Sequence, residues 1–306
     1  MLKQNDTIGI IALSSECDKR KVKKAKANLE SLGFKVKLSK NIFDKHRYLA
    51  GSDDDKVLEL HNFFQNDEIN LIMCARGGYG TTRIIDKIDY DIIKTNPKPF
   101  CGFSDATAVL LMIYKKTGLV TYYSPMACTD FTGNIDAAAI QPFVFSGEHA
   151  PSAVRRKYST ILNYFKAVNN EHLRYEGLLS YKEGFAKGIL WGGNLSTIVS
   201  LCGQDFIPDR DFIFFTEDIN EPVYKIDRMF QQLINIPQFV KHCKGLVLGD
   251  FLEVDNVEWL DEYFIELSKR LNIPLSGGFK ITHSEEKITI PIGKRGILNN
   301  NVLFID

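Results

Sequence analysis

Residues 99–118 read PFCGFSDATAVLLMIYKKTG and contain a strand, a turn and a helix in immediate succession. The apolar run PFCGF predicts a short buried strand, and the apolar residues after the turn recur at helical spacing up to a closing glycine. The turn carries small residues two positions before and two positions after Ser104. This arrangement is typical of a sharp strand-to-helix turn, which brings those two positions against neighbouring backbone.

The same alternation fills the chain before this stretch. Strands are predicted at 7–14, 34–40 and 70–75, and helices at 19–33 and 53–66. The second helix begins with three aspartates, whose charges suit the positive end of a helix dipole. Strands that alternate with helices form a parallel sheet covered on both faces. We therefore predict an α/β protein whose N-terminal domain has a flavodoxin- or Rossmann-like parallel sheet.

The pattern changes in the second half of the chain. An N-terminal domain at 1–135 is followed by residues 136–175, whose mixed composition predicts a connector. From residue 176 onward several short apolar strands follow one another, with two clear helices among them. These features predict a C-terminal domain at 176–306, which is β-rich and resembles an α/β barrel.

The composition favours a globular protein with a small or only locally charged ligand. Hydrophobic residues make up 44% of the chain and charged residues 25%, which indicates a well-formed core. Acidic and basic side chains number 38 each, so no overall field favours nucleic acid or an anionic membrane. The six cysteines lack zinc spacing, and the sequence shows no signal-peptide or membrane-span pattern. We expect a reduced, cytoplasmic protein.

Ser104 is a candidate nucleophile. It precedes the predicted helix, where unpaired N–H groups and the positive dipole end stabilise developing negative charge. The backbone N–H of Asp105 would then be one donor to an oxyanion. The alternative is a helix-capping serine, which is a common role for serine at such a position.

A glycine-rich turn, RGGYG at 76–80, also follows a predicted strand and precedes a predicted helix. If the two strands are parallel, this turn lies at the same sheet edge as Ser104. Its successive N–H groups would cradle an anion, or its glycines would only allow a tight turn. The spacing differs from Gly-x-Gly-x-x-Gly, which disfavours a dinucleotide site.

A serine nucleophile requires a base, and a histidine base requires a carboxylate that orients it. His283 lies between two strand-like stretches, and Glu217 ends the apolar strand FIFFTE, with Asp218 and Glu221 as alternatives to it. The other histidines occur in charged or polar contexts that indicate the surface: His46, His61, His149, His172 and His242. The alternative for each of these histidines and carboxylates is a structural or solvated role. Sequence spacing does not show which of their side chains lie close together in the fold.

Taken together, these segments resemble the LD-carboxypeptidases, a serine peptidase family with murein tetrapeptide carboxypeptidases and microcin-immunity peptidases among its members. The matching stretches cover most of the chain in the order expected for the family. They are RGGYGTTRIID (76–86), GFSDATAV (102–109), KGILWGGNLSTIVSLCG (187–203), TEDINEPVYKIDRM (216–229), GLVLGDF (245–251) and HSEEKITIPIG (283–293). The RGGYG form is similar to the murein-recycling branch of the family.

The resemblance implies a Ser-Glu-His triad. Ser104 would be the nucleophile, His283 the general base and acid, and Glu217 the carboxylate that orients the imidazole. The triad would be divided, with the serine in the N-terminal domain and the other two residues in the C-terminal domain.

The resemblance also implies backbone oxyanion donors from Asp105 and from Gly78 or Gly77. A terminal carboxylate on the substrate needs a cationic or N–H partner. The candidate substrate-binding residues are Arg76, Asn194 and Arg228. The chain departs from the family at Tyr123-Ser124-Pro125-Met126, where His-Gly-Pro-Met or Ser-Gly-Pro-Met is common, and at Thr282, where glycine is common. These differences would reshape the pocket wall without removing a triad member.

The activity implied is hydrolysis of the L-to-D peptide bond that releases the C-terminal D-alanine of murein tetrapeptide in cell-wall recycling. The resemblance implies a homodimer whose mechanism uses no metal or organic cofactor, and the balanced charge predicts binding to neither nucleic acid nor membrane. One alternative is a family peptidase that cleaves a peptidyl-nucleotide. A second is a non-catalytic protein that holds an anion or nucleotide in the 76–80 turn. An α/β-hydrolase is disfavoured because the second half of the chain lacks its strand-helix alternation.

Overall fold

The computed structural model describes residues 2–146 and 150–306, which divide into two compact units. Unit 1 is Met1–Glu171 together with Ile288–Pro291, and unit 2 is His172–Lys287 together with Ile292–Asp306. His149, which the sequence places at the surface, lies outside the described residues. A short C-terminal segment therefore belongs to the first unit, which the sequence pattern did not predict.

Unit 1 is built on one sheet. Its strands in the described residues are β1 (Thr7–Ile11), β2 (Lys35–Leu38), β3 (Ile69–Cys74), β4 (Phe100–Gly102), β5 (Thr121–Tyr123) and, from the C-terminal half, β12 (Ile290–Ile292). The helices are α1 (Lys19–Ser31), α2 (Asp53–Gln65), α3 (Tyr90–Thr95), α4 (Thr107–Thr117), α5 (Ala127–Asp130), α6 (Ala137–Phe145) and α7 (Ser152–Val168). Short 3-10 turns lie at Thr81–Arg83 and Ser104–Ala106.

The strand order of this sheet is β12-β5-β4-β3-β1-β2, and the five strands β1 to β5 pair in parallel. The order 2-1-3-4-5 is that of the flavodoxin-like fold, so the predicted parallel α/β domain is confirmed. In such sheets the chain changes direction between β1 and β3, and ligands bind beyond the carboxyl ends of the strands there. The turns after β1, β3 and β4 all leave the sheet at this edge.

Local sequence explains where the first helices begin. Asp18 caps α1 by accepting from the N–H groups of Arg20 and Lys21, and the Ser52 hydroxyl caps α2 through Asp55 N–H. Val22, Ala25 and Leu29 follow at helical spacing, and all are buried. Each helix therefore covers the sheet with an apolar face.

Most of the segment predicted as a connector, 136–175, belongs to unit 1. Helices α6 and α7 bury Ile140, Val144 and Phe165 in the same hydrophobic cluster as the residues of β1 and α1. The ring of Phe165 stacks on Phe34 with centroids 5.2 Å apart. The apolar spacing of α7 carries a helical signal that the polar residues between its apolar positions obscure.

Unit 2 contains the second sheet. Its strands in the described residues are β6 (Leu173–Glu176), β7 (Leu179–Lys182), β8 (Phe185–Asn194), β9 (Phe212–Ile219), β10 (Cys243–Leu252), β11 (Leu275–Gly277), β13 (Arg295–Asn299) and β14 (Val302–Ile305). The helices are α8 (Leu195–Val199), α9 (Val223–Ile234), α10 (Pro237–His242) and α11 (Val257–Leu271).

The centre of this sheet is parallel and its flanks are antiparallel. Strands β8, β9, β10 and β11 pair in parallel, whereas β7, β13, β14 and β6 join through antiparallel pairs. The predicted β-rich α/β unit is thus confirmed. Trp191 of β8 packs in its core against Phe206, Phe212 and Phe214. Across residues 2–146 and 150–306, no helix has both the length and the apolar character that crossing a bilayer requires.

If α7 is part of the unit 1 core, Phe165→Ala should destabilise the protein by about 3–5 kcal/mol, because it removes a buried ring and leaves a cavity. Urea unfolding measures the change. Arg156→Ala, at an exposed position of the same helix, should have little effect. Equal, small effects of the two substitutions would mean that the segment is a linker.

Candidate active site

Ser104 occupies a strained turn at the carboxyl end of β4. Its φ is +59°, in the left-handed region that non-glycine residues avoid. The flanking positions must be small: a Cβ on Gly102 would lie 2.6 Å from the Ala106 Cβ and 3.2 Å from the Cys74 Sγ. The sharp turn therefore holds only with glycine at 102 and a small residue at 106.

Ser104 does not occupy the N-cap position of the helix that follows this turn. Helix α4 begins at Thr107, with Ala106 at its N-cap position and no side-chain cap. The Ser104 backbone N–H donates to the Tyr123 hydroxyl at 3.2 Å, and its carbonyl accepts from the Thr107 hydroxyl at 2.6 Å. These contacts fix the serine backbone, and they do not support the capping alternative.

The glycine turn after β3 lies against this serine. A Cβ on Gly77 would be 2.9 Å from the Ser104 Cβ and 3.2 Å from its Oγ. Gly78 has φ +117°, and a Cβ there would be 2.3 Å from the Ser15 Oγ. Side chains are thus excluded at both glycines, which brings the turn backbone close to the serine.

Ser15, in the segment after β1, supports the glycine turn although no sequence motif marks it. Its hydroxyl accepts the Tyr79 N–H at 3.2 Å. The only sequence signal was its place just beyond the first predicted strand. Arg76 also contacts this turn. Its guanidinium donates hydrogen bonds to the Gly77 carbonyl at 3.2 Å and to the Glu16 carbonyl at 3.4 Å.

Within unit 2, the side chains of Glu217 and His283 are hydrogen-bonded to each other. The His283 Nδ1 lies 2.7 Å from the Glu217 Oε2. Glu217 is fully buried near the end of β9, whereas 21% of the His283 side chain is exposed. A histidine that donates Nδ1–H to a carboxylate presents Nε2 as its basic nitrogen.

The other oxygen of Glu217 is held by Asn194, which pairs with it across β8 and β9. The Asn194 Nδ2 lies 3.2 Å from the Glu217 Oε1 and 2.9 Å from the Asp218 Oδ1. Burial raises the pKa of Asp218, and the neighbouring Glu217 charge adds to this rise. Asn194, a predicted substrate-binding residue, therefore separates and satisfies two adjacent buried carboxylates.

The alternative carboxylates have other contacts. Asp218 accepts the Ser196 N–H at 2.8 Å, and Glu221 lies 3.2 Å from the Lys225 ammonium. The guanidinium of Arg228 lies over the Tyr224 ring, 5.2 Å from its centroid. Of the three carboxylates that the sequence offered, Glu217 is the one paired with His283.

The predicted site residues divide between the units. Unit 1 holds Ser104, Asp105, Gly77, Gly78 and Arg76, and unit 2 holds Glu217, His283, Asn194 and Arg228. Within residues 2–146 and 150–306, no cluster of three or more histidine, cysteine or acidic side chains is arranged to hold a metal ion.

A serine in a left-handed turn beside a glycine loop, and an imidazole on a buried carboxylate, are the components that a serine hydrolase requires. The family model described as the LD-carboxypeptidase N-terminal domain matches residues 8–124, and the one for the LD-carboxypeptidase C-terminal domain matches residues 187–298. The chain belongs to the LD-carboxypeptidase family.

Individual relatives carry two kinds of name. A probable murein peptide carboxypeptidase of Bacillus subtilis is 35% identical over 97% of this chain and 90% of its own length. The microcin C7 self-immunity protein MccF of Escherichia coli is 27% identical over 94% of this chain and 89% of its own. The solved structure of muramoyltetrapeptide carboxypeptidase from Oxalobacter formigenes is 26% identical, covers 98% of this chain and 97% of its own, and has a TM-score of 0.83.

The strain at Ser104 predicts a difference between two substitutions that both remove the hydroxyl. Ser104→Gly should be more stable than Ser104→Ala by about 1 kcal/mol, because only alanine retains the cost of a Cβ at positive φ. Thermal and urea unfolding of the two variants measure this difference. An alanine variant as stable as the glycine variant would mean that the turn is unstrained.

Proposed function

We propose that this protein is an LD-carboxypeptidase that hydrolyses the L-to-D peptide bond and releases the C-terminal D-alanine of murein tetrapeptide. The observation that carries the proposal is the 2.7 Å contact between His283 and the fully buried Glu217. A fully buried carboxylate that contacts the imidazole fixes its tautomer, which is what a catalytic histidine needs. The murein peptide names among the relatives support this substrate class.

In the proposed mechanism Ser104 attacks the carbonyl carbon of the scissile bond. His283 takes the serine proton and then delivers it to the leaving amine of the D-amino acid. Glu217 keeps the imidazole in the required tautomer and stabilises the imidazolium. Water, activated by the same histidine, then cleaves the acyl-enzyme and regenerates the serine.

The negative charge that develops on the carbonyl oxygen needs fixed donors. We propose the backbone N–H groups of Asp105 and of Gly78 or Gly77 for this role. The closeness of Gly77 to the Ser104 side chain supports the choice of this turn. Arg76 and Arg228 remain the proposed partners of the substrate carboxylate.

We also propose a homodimer that works in a reducing compartment. The cysteines support the second statement: Cys17, Cys74, Cys101, Cys128, Cys202 and Cys243 are all unpaired thiols. Burial raises the pKa of the Cys101 and Cys243 thiols to about 12, so neither is a reactive thiolate near neutral pH.

A second candidate substrate is a peptidyl-nucleotide. The specific observation behind it is the relative named for self-immunity to microcin C7, which matches 94% of this chain. That activity would use the same serine, histidine and glutamate on a different leaving group.

Incubation of the purified protein with murein tetrapeptide and, separately, with processed microcin C7 distinguishes these substrates. We expect mass spectrometry to detect release of D-alanine from the tetrapeptide and no cleavage of the microcin. Ser104→Ala should abolish the reaction. Cleavage of the microcin alone would replace the murein assignment, and hydrolysis unchanged in Ser104→Ala would contradict the role of Ser104 as nucleophile. No hydrolysis of either substrate would favour a non-catalytic anion-binding role for the glycine turn.

Substitution of the buried carboxylate tests the proposed triad. Glu217→Gln should lower kcat roughly a thousandfold or more with little change in KM, because the amide no longer fixes the imidazole tautomer. Steady-state kinetics on the tetrapeptide measure the effect.

Unit 2 offers a matched control for this substitution. Asp211 lies 3.1 Å from the His242 Nδ1 at the surface, so Asp211→Asn changes a carboxylate–imidazole pair of the same kind. It should leave kcat unchanged. A similar, small effect of the two substitutions would contradict the role assigned to Glu217.

A further inference from the structure

The side chain of Asp105 is buried and turned toward the glycine loop. Asp105 follows Ser104 directly and is only 4% exposed. Its carboxylate accepts the Thr81 N–H at 3.0 Å, and the Thr81 hydroxyl donates to the Asp105 backbone carbonyl. The residue after the nucleophile is therefore tied twice to the first residue after the 76–80 turn.

A fully buried lysine lies beneath the same turn. Lys56, on α2, is 0% exposed, and its ammonium is 3.3 Å from the Asp53 Oδ1. A Cβ on Gly80 would be only 3.0 Å from the Lys56 Nζ, so the ammonium packs directly against the turn. Burial lowers the pKa of Lys56, and attraction by Asp53 and by Asp105 opposes that change.

Arg83 closes the outer side of this cluster. Its Nε and Nη2 lie 2.9 and 2.7 Å from the Asp53 Oδ2. Asp53 thus contacts both a surface guanidinium and the buried ammonium of Lys56.

Burying a lysine is costly, and a hydrophobic side chain of similar size would fill the space under a turn at lower cost. The turn itself has few side chains that could hold it, because three of its five residues are glycine and two of these have positive φ. The contacts at the end of the turn are instead polar: the Lys56 ammonium packs against Gly80, and Asp105 is hydrogen-bonded to Thr81. Oxyanion donors act only when they are held close to their productive positions.

We propose that Lys56, Asp105 and Thr81 form a buried electrostatic latch that fixes the 76–80 turn against Ser104. Lys56 and the Asp105 carboxylate are positioning residues, because they act through the turn and the backbone around the nucleophile. The catalytic consequence of the latch rests on the proposed function, whereas its effect on the turn does not.

Lys56→Met removes the charge and keeps an unbranched side chain of similar length. We expect kcat to fall about tenfold to a hundredfold while KM stays within about twofold. Displacement of the oxyanion donors weakens their binding to the transition state more than it weakens binding of the substrate. A fluorophosphonate probe, which needs Ser104 and the oxyanion donors but no peptide, should label the variant more slowly by a similar factor.

Lys87→Met is the matched control. Lys87 pairs with Asp54 at 2.7 Å on the surface of the same unit, so this substitution breaks an ion pair of the same type without touching the latch. It should behave as wild type in both assays. Equal kinetics for Lys56→Met and Lys87→Met would overturn the latch.

Asp105→Asn provides a second variant if Lys56→Met does not fold, since the amide has the shape of the carboxylate and can still accept from Thr81. The double variant should lose less activity than the product of the two single losses, because both substitutions release the same turn. Strictly multiplicative losses would mean that Lys56 and Asp105 act independently, which would also overturn the proposal.

Hydrogen exchange followed by mass spectrometry separates this proposal from the proposed function. Peptides that span residues 76–83 should exchange faster in Lys56→Met and Asp105→Asn than in wild type and Lys87→Met. Wild-type protein that hydrolyses neither substrate and resists the probe would refute the proposed function, yet the exchange rates would still decide the latch. Unchanged exchange of these peptides in both variants would overturn the latch.

Discussion

The candidate active site is organised around one carboxylate, that of Glu217, which is buried away from water. Glu217 is fully buried, and one of its oxygens contacts the His283 imidazole while the other accepts a hydrogen bond from the Asn194 amide. A buried carboxylate without such partners would be too costly to keep ionised. The same contacts that make its burial tolerable also give the imidazole a fixed orientation. Asn194 sits opposite Glu217 in the parallel pair of β8 and β9, so the register of the sheet sets this geometry.

In unit 1 the important feature is a glycine-rich turn whose backbone is held in place by only a few side chains. Its sheet has the 2-1-3-4-5 strand order, and the segments that follow β1, β3 and β4 converge beyond the carboxyl ends of the strands. Glycines at 77 and 78 allow the closest approach, while Ser15 on one side and Asp105 with Thr81 on the other restrain the turn. This arrangement of the turn includes Ser104 at φ +59° and the buried Lys56. Both features lower the stability of the folded protein.

Much of the fold was accessible from the pattern of residues. The strand-helix alternation of the first half predicts a parallel sheet, and the closely spaced short strands of the second half predict a β-rich unit. The mixed, partly polar and helical composition of residues 136–175 predicts a connector. In the structure, apolar residues of this segment form the buried faces of α6 and α7. The return of β12 to the first sheet was not predictable either, because pairing between strands so distant in sequence leaves no local signal.

The sequence by itself determined the chemical identities: a serine between small residues, a glycine turn, and a histidine and several carboxylates near strand ends. Local sterics impose the small residues at the two turns, which are therefore visible in the order of residues. Residue spacing left Glu217, Asp218 and Glu221 open as partners of His283. The tertiary structure shows that Glu217 contacts His283, as the family resemblance implies, and that Asn194 holds the carboxylates of Glu217 and Asp218. It alone placed Lys56 beneath Gly80. Those outcomes depend on strand register and on which elements pack together, and both arise from interactions between residues far apart in the chain.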